Sequence, residues 1–489
     1  MTDFTPTAEQ DAIVSFATSS TDNLCVIARA GAAKTSTLIL VAEALPKKEI
    51  LCLAFNKKIA EEMNERLPKN CTAKTLHGLG YAAWRGFISG KMKVDGRKVF
   101  FLLKAEIEKL EKEDKQDAYA SMSETLQFIA SAKQVGYLPE SYSGHWRPLV
   151  GDEDFLLSLP LEPSKLQEIL IEKVLIESFK LALGGVLDFD DMIYCPAICS
   201  VSWPTFPLTL IDEAQDLSPI NHHILKKLVR KNRIIAVGDP CQAIYGFRGA
   251  LADSMDQLQE KFSMTSLHLT ISFRCSRAVT ENAQWLAPDM RSPEWAVDGL
   301  VLRPLSWSAS DISLGDAIIC RNNAPLFSMA IRMIEAGLLP EIAGRDIGAP
   351  LIKIMKALGK PNLLKLAALD AITHWEETQT KRARPGAVGS IKDKASCIRI
   401  MLEATKTLGD AMAYLEHLLA RDGRVHLMTG HKSKGLEFDK VFFLDNKLCQ
   451  IDRDQDANVK YVIETRAKNT LIYVTSDTFD FTTNALEAS

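Results

Sequence analysis

At 489 residues the chain is too long for one compact core, and about three or four domains or subdomains are expected. Hydrophobic residues at 47% and charged residues at 25% match an ordinary soluble protein, and no apolar run reaches the length that crosses a bilayer, which excludes a membrane span. A formal net charge of −4 excludes a protein that coats nucleic acid non-specifically, so any such contact must come from a local groove. The ten cysteines are scattered, and the near pair Cys195 and Cys199 has no second pair or histidine cluster to complete a zinc site. The opening MTDFTPTAEQ has no basic n-region or apolar h-region, and a cytoplasmic protein with reduced thiols is expected.

In chain order, a turn at Pro6 leads into a helix marked by Ile13, Val14 and Phe16, with Gln10 at its start. A glutamine amide there can pair with the donor and acceptor edges of adenine; alone it reads as an exposed helix residue. The stretch 24–40, LCVIARAGAAKTSTLIL, then joins a buried strand, a small-residue loop and an apolar helix. That order is a phosphate-binding loop. Amides of Ala28, Arg29, Ala30, Gly31, Ala32, Ala33 and Ser36 and the helix dipole favour phosphate, Lys34 reaches it, and the Thr35 hydroxyl holds Mg²⁺. The usual pattern has glycine where Ala28 and Ala33 stand, and the alternative is a strand-to-helix turn packed with small residues.

A second apolar run, 49–55, ends in Phe55, Asn56 and Lys57, and a further one places Lys74, Thr75 and His77 near a strand end. Strands alternating with helices imply a parallel sheet, whose carboxyl ends bind ligands. From 85 to 177 the pattern is helical, with a capping box at Ser164 and Gln167 for a helix that stops at Gly184 and Gly185. The α/β pattern returns at 207–211, followed by Asp212 and Glu213: a Mg²⁺ ligand and a base for the attacking water. The strand at 234–237 ends in GDPCQAIYGFRG, where Gln242 can sense phosphate and Tyr245, Phe247 and Arg248 offer faces for stacked bases.

These motifs together resemble the superfamily 1 DNA helicases of the UvrD/Rep type. Gln10 is similar to the adenine-reading glutamine, ARAGAAKTS to the phosphate loop, LAFNKK and TLHGLG to the first DNA-contacting motifs, and LDFDDMI (187–193) to a further motif of the first domain. IDEAQD, VGDPCQAIYGFRGA, LTISFRCSRAV (269–279), MTGHKSKGLEFDKVFFLD (428–445) and YVIETRAKNTLIYV (461–474) follow in family order. Departures are Ala33 for glycine, Ser36 where many relatives have arginine, Phe273 where tyrosine is commoner, and Gln455-Asp456 for an acidic pair.

The resemblance implies an α/β fold of two RecA-like parallel-sheet domains with ATP between them. The first spans 1–84 and 178–250, the second 251–330 and 422–489, and helical insertions occupy 85–177 and 331–421. It implies Arg274 and Arg466 as fingers for the γ-phosphate, Phe273 on adenine, and Gly435 and Glu437 at the nucleotide. Phe55, Asn56, Lys57, Thr75, His77, Tyr245, Phe247, Arg248, Thr429 and His431 would hold single-stranded DNA. The expected activity is ATP-dependent movement on that strand and at single/double-strand junctions, with Mg²⁺ as cofactor and nuclease, replication or repair proteins as partners. HKSKGLEF points to 3′→5′ movement, with 5′→3′ the runner-up. A DNA-gripping ATP switch and a motor subunit of a nuclease remain the alternatives, and Phe479 or Phe481 is the candidate duplex wedge, with a plain terminal tail as the alternative.

Overall fold

The apolar runs fold as strands of two parallel sheets. The computed structural model describes residues 5–88, 90–230, 232–246, 253–344, 347–452 and 455–480. The chain divides into one unit of Met1–Ala28 with Ala33–Leu269 and another of Arg29–Ala32 with Thr270–Ser489.

In the first unit, strands β1 (Leu24–Ala28), β2 (Ile50–Leu53), β3 (Cys71–Lys74), β4 (Leu208–Ile211), β5 (Arg233–Gly238) and β6 (Thr265–Leu269) form a six-stranded sheet in the order β3-β2-β4-β5-β1-β6. Every pairing is parallel. Strands β2, β4 and β5 are buried at every residue, so their sequences run apolar without alternation. A parallel sheet brings all its carboxyl ends to one edge. The phosphate loop, Asn56, Thr75, Asp212 and Asp239 each lie just beyond one of those ends. Strand β6 extends this unit past the boundary expected at 250, because it pairs with β1 from Leu24 to Ala28.

The segment 85–177 is mostly helical and has its own core, with Leu103, Ile107, Phe128, Ile129, Leu170 and Val174 among its members. Helix Lys165–Leu183 starts at the Ser164 capping box and ends at Gly184. Two lysines of the insertion are buried against the LDFDDMI segment. Lys133 Nζ lies 2.7 Å from Asp191 Oδ1 and also pairs with Asp188, while Lys98 pairs with Asp191 and donates to the Ser178 carbonyl at 3.0 Å. Breaking such a pair leaves an uncompensated buried charge, so this network fixes how the insertion seats on the sheet domain.

In the second unit, β7 (Leu300–Leu302), β8 (Ala317–Cys320), β9 (Pro340–Ile342), β10 (Val425–Thr429), β11 (Phe438–Leu444) and β12 (Ala467–Val474) are ordered β9-β10-β8-β11-β12-β7, again with parallel pairings. The expected insertion at 331–421 is narrower than anticipated, since β9 pairs with β10 and belongs to the sheet. The inserted part is the helices Gly348–Leu358, Lys365–Arg382, Pro385–Glu403 and Leu408–Ala420. Phe479 is no exposed wedge: it is 4% exposed, pairs in a short parallel bridge with Trp307 and packs edge-on against that indole at 4.8 Å. Phe481 lies outside the described residues, as do Phe247 and Arg248.

Candidate nucleotide and nucleic-acid site

The helix Lys34–Glu43 begins on Ala33, whose backbone stands at φ 55°, ψ 40° and supplies no side-chain cap. The first-turn amides therefore have no capping side chain at the N-terminus, the arrangement that receives an anion. Ala33 thus adopts the left-handed conformation for which glycine is normally used, at a cost of roughly 1–2 kcal/mol. Behind it, Thr37 donates to the Ala33 carbonyl at 3.1 Å and accepts from Gln10 Nε2 at 3.0 Å. Gln10 is fully buried, and its Oε1 accepts from the Thr7 amide at 3.0 Å in a capping box. Both ends of the carboxamide are engaged within the protein. Ser36 accepts a long 3.4 Å bond from Arg66.

At the end of β4, the Thr35 hydroxyl donates to Asp212 Oδ2 at 2.5 Å, and Lys34 Nζ lies 3.3 Å from Glu213 Oε1. Burial and then neighbouring Glu213 push the Asp212 carboxyl up to about 6, against the opposing pull of Lys34 and Thr35. Lys34 shows the converse balance: burial works against its charge, but Glu213, Asp239 and Asp212 outweigh it and hold the ammonium above its ordinary value. Glu213 has φ 52°, and its amide donates to Asp212 Oδ1 at 2.9 Å. Its Oε2 accepts from Gln215 Nε2 at 2.5 Å. Gln242 donates to Asp239 Oδ2 at 2.7 Å. A hydroxyl and a carboxylate make a hard oxygen pair, the donor set from which Mg²⁺ takes one or two protein ligands beside phosphate and water.

In the second unit, the loop residues Arg29–Ala32 meet their own partners. Arg29 Nε lies 2.7 Å from Asp289, the Ala30 amide donates to the Tyr461 hydroxyl at 3.1 Å, and the Gly31 carbonyl accepts from the Phe273 amide at 3.0 Å. Gly31 needs to be glycine twice over. Its φ is +74°, and a Cβ would stand 2.6 Å from Arg274 Cβ. Arg274 pairs with Glu437 at 3.4 Å and reaches the Thr465 carbonyl at 3.4 Å. Arg466 is 1% exposed; its Nε donates to the Val462 carbonyl at 2.9 Å and its Nη1 to the Leu436 carbonyl at 3.1 Å. Gly435 holds φ +88° before exposed Glu437, and Phe273 stacks on Trp295 with ring centres 6.3 Å apart.

The expected DNA residues divide into two kinds. Phe55 and Tyr245, from different strand ends, stack at 5.8 Å with planes 11° apart, and Phe55 is 44% exposed. His77 stacks on Phe189 at 4.1 Å. Asn56 and Thr75, by contrast, cap helices: their side chains accept from the Ile59 amide at 2.9 Å and the Gly78 amide at 3.1 Å. Lys57 is exposed beside Glu61 at 3.5 Å. Thr429 is buried at the start of a short helix, and His431 is half-buried within it.

Sequence reading passed over four residues of these clusters. Phe189 is exposed between buried Asp188 and half-buried Asp190, and an aromatic inside an acidic motif was a legible signal. Gln215, Asp239 and Trp295 had none, because the Gln215–Asp239 and Phe273–Trp295 contacts join residues more than twenty positions apart.

Residues 7–263 match the family model for the UvrD/REP helicase N-terminal domain, and residues 424–474 match that for the UvrD-like helicase C-terminal domain. The chain is similar to F-box DNA helicase protein 1 of Schizosaccharomyces pombe, with 26% identity over 95% of this chain and 57% of that protein. It is similar to F-box DNA helicase 1 of Gallus gallus at 26% over 91% of this chain and 47% of the relative. DNA helicase IV of Escherichia coli is 30% identical over 49% of this chain and 41% of its own length. The chain spans about half the length of the two F-box relatives.

Proposed function

The chain belongs to the UvrD/REP helicase family, and from that premise we propose that it is a DNA-stimulated ATPase that moves along single-stranded DNA, 3′→5′. The observation that carries this reading is the bonded cluster Lys34, Thr35, Asp212 and Glu213 at the carboxyl edge of the first sheet. Lys34 and the helix amides bind the β- and γ-phosphates. Glu213, oriented by Lys34 and Gln215, takes the proton of the attacking water. Thr35 and Asp212 would hold Mg²⁺, which when bound supplies charge neutralisation on the phosphate oxygens. Arg274 and Arg466 stabilise the charge that develops on the transferred phosphoryl group, since a guanidinium stays charged and presents a fixed fork to oxygen. Phe273 stacks on the adenine.

Exposed Phe55 with half-buried Tyr245, and His77 with exposed Phe189, give bases an aromatic surface, and Lys57 attracts the backbone. Alternating grip by the two sheet domains, driven by hydrolysis, would step the protein along the strand toward single/double-strand junctions. Nuclease, replication and repair proteins are the partners such a motor would serve. A second reading, an ATP-binding switch that grips DNA without turnover, is favoured by the alanine at φ 55° in the phosphate loop. Phosphate release measured with and without single-stranded DNA decides between them. Stimulated turnover supports the motor, and DNA binding without turnover supports the switch.

A further inference from the structure

We propose that Gln215 is the positioning residue through which the loop after β5 sets the orientation of Glu213, and hence the rate of hydrolysis when that loop meets DNA. The inference rests on the ATPase reading and adds to it a residue that neither nucleotide nor DNA would touch. Gln215 is 1% exposed. Its carboxamide has one donor end and one acceptor end, and each is committed. Nε2 donates to Glu213 Oε2 at 2.5 Å, and Oε1 accepts from the Asp239 amide at 3.0 Å. Asp239 is the first residue beyond β5, and its carboxylate also receives Gln242 Nε2 at 2.7 Å and the Cys241 amide at 3.1 Å. Three residues on from Gln242, the same loop carries Tyr245, stacked with Phe55.

One bonded path therefore runs from the aromatic pair's loop, through the Asp239 backbone and the Gln215 carboxamide, to the carboxylate of the base. Glu213 sits at φ 52°, with Oε1 facing Lys34 at 3.3 Å and Oε2 held by Gln215 at 2.5 Å, so Gln215 helps to set which way that carboxylate turns. Neutral and unable to titrate, a carboxamide does this without changing the charge beside Lys34 and Asp212. The packing shows the same dependence from the other side. A Cβ at Gly238 would stand 2.6 Å from Gln215 Oε1 and 2.7 Å from Met255 Sδ, so glycine at the end of β5 is what gives the carboxamide its place. A shift of the loop that moves the Asp239 amide must pull or release Gln215, and a misplacement of about 1 Å at a catalytic group costs on the order of a hundredfold in rate.

The test compares Gln215→Glu, nearly identical in shape but lacking the donor toward Glu213, with Gly238→Ala, which displaces the carboxamide without removing it. DNA-free and DNA-stimulated kcat, KM for ATP, affinity for a single-stranded oligonucleotide and the melting temperature are measured on the full chain. Both variants are expected to keep KM and DNA affinity close to wild type and to lower melting, from the crowding at Gly238 and from a second buried carboxylate beside Glu213, while the stimulated kcat of the folded protein falls about tenfold to a hundredfold. Full stimulation in Gln215→Glu overturns the proposal, as does a loss confined to melting or to ligand affinity. A wild-type protein with no DNA-stimulated turnover removes the ATPase reading and this inference together, whereas stimulated wild type with an equally stimulated variant removes this inference alone.

Discussion

The two units carry their candidate nucleotide residues on opposite electrostatic plans. In the first unit unlike charges meet: Lys34 faces Glu213 at 3.3 Å, and Asp239 and Asp212 also hold its charge. That cluster is balanced in charge and bonded within itself. In the second unit two guanidinium groups are close neighbours. Exposed Glu437 lies 3.4 Å from Arg274, while main-chain carbonyls hold Arg466. Burial first, then the like charge of Arg274, pushes Arg466 down to about 9. On the proposed reading, the first unit supplies the base and the second a positive field that an anion would relieve.

The largest effect is expected on the balanced side. Glu213→Gln keeps shape and removes basicity, so turnover should fall about 10²–10⁴-fold with ATP and DNA binding retained; wild-type hydrolysis by this variant would break the assignment of the base. On the positive side, Arg274→Ala and Arg466→Ala should each lower kcat about 10²–10³-fold with a smaller loss of ATP affinity. The two should also differ from each other. Arg466 anchors the Val462 and Leu436 carbonyls from inside the fold, so its removal should lower the melting temperature more than removal of Arg274. Equal melting temperatures would show that its buried bonds contribute nothing net.

The same contrast explains what the sequence disclosed. The first unit was legible because its site lies at the ends of short apolar strands, where Lys34, Asp212 and Glu213 follow immediately in the chain. The left-handed turn at Ala33 followed from its place in the phosphate loop. Three things stayed hidden. Strand β6 is exposed over much of its length and carries His268, so it did not read as a buried run. Strand β9 is only three residues long. Asn56 and Thr75 have the residue types that favour DNA phosphate and helix capping alike, and only backbone geometry shows the capping role.

Nucleic-acid grip should be unequal in the same way. Phe55→Ala and Tyr245→Ala should each weaken single-strand binding by about 1–3 kcal/mol per stacked base. His431→Ala, a half-buried residue of the second unit, should cost less in a fluorescence titration. A reversed ranking would move the main contact surface to the second unit. Acid should also separate the halves. Burial pushes His77 and His222 down to about 4, so the unfolded chain binds more protons between about 6.5 and 4 and the first unit loses stability as pH falls through that window. Glu464 is displaced in the opposite sense: burial raises it despite the bonds from Trp285 and Tyr473, so its contribution grows as pH falls. Hydrogen-exchange protection factors, corrected for the intrinsic rate at each pH, should fall more between pH 7 and pH 5 in helix Pro219–Val229 than in helix Asp456–Glu464. An equal fall would cancel this contrast.

The smallest effect, and the one that bears most directly on whether the balanced half works, belongs to Ala33. Its left-handed backbone stores roughly 1–2 kcal/mol that glycine would not. Ala33→Gly relieves this strain but enlarges the freedom of the unfolded chain by about 0.4–1 kcal/mol, so the net change in melting should be small. Binding should respond more clearly than folding. Glycine lets the loop backbone approach phosphate without a Cβ, and nucleotide affinity should tighten while turnover stays similar or rises moderately. Thr35, Asp212 and Glu213 are bonded in place with alanine present, so hydrolysis is expected without glycine there. Isothermal titration with a slowly hydrolysed ATP analogue, beside phosphate release, separates the two quantities. If DNA-stimulated hydrolysis is absent from the native sequence and appears only after Ala33→Gly, the alanine is a lock on the first half, and the protein is a DNA-gripping switch.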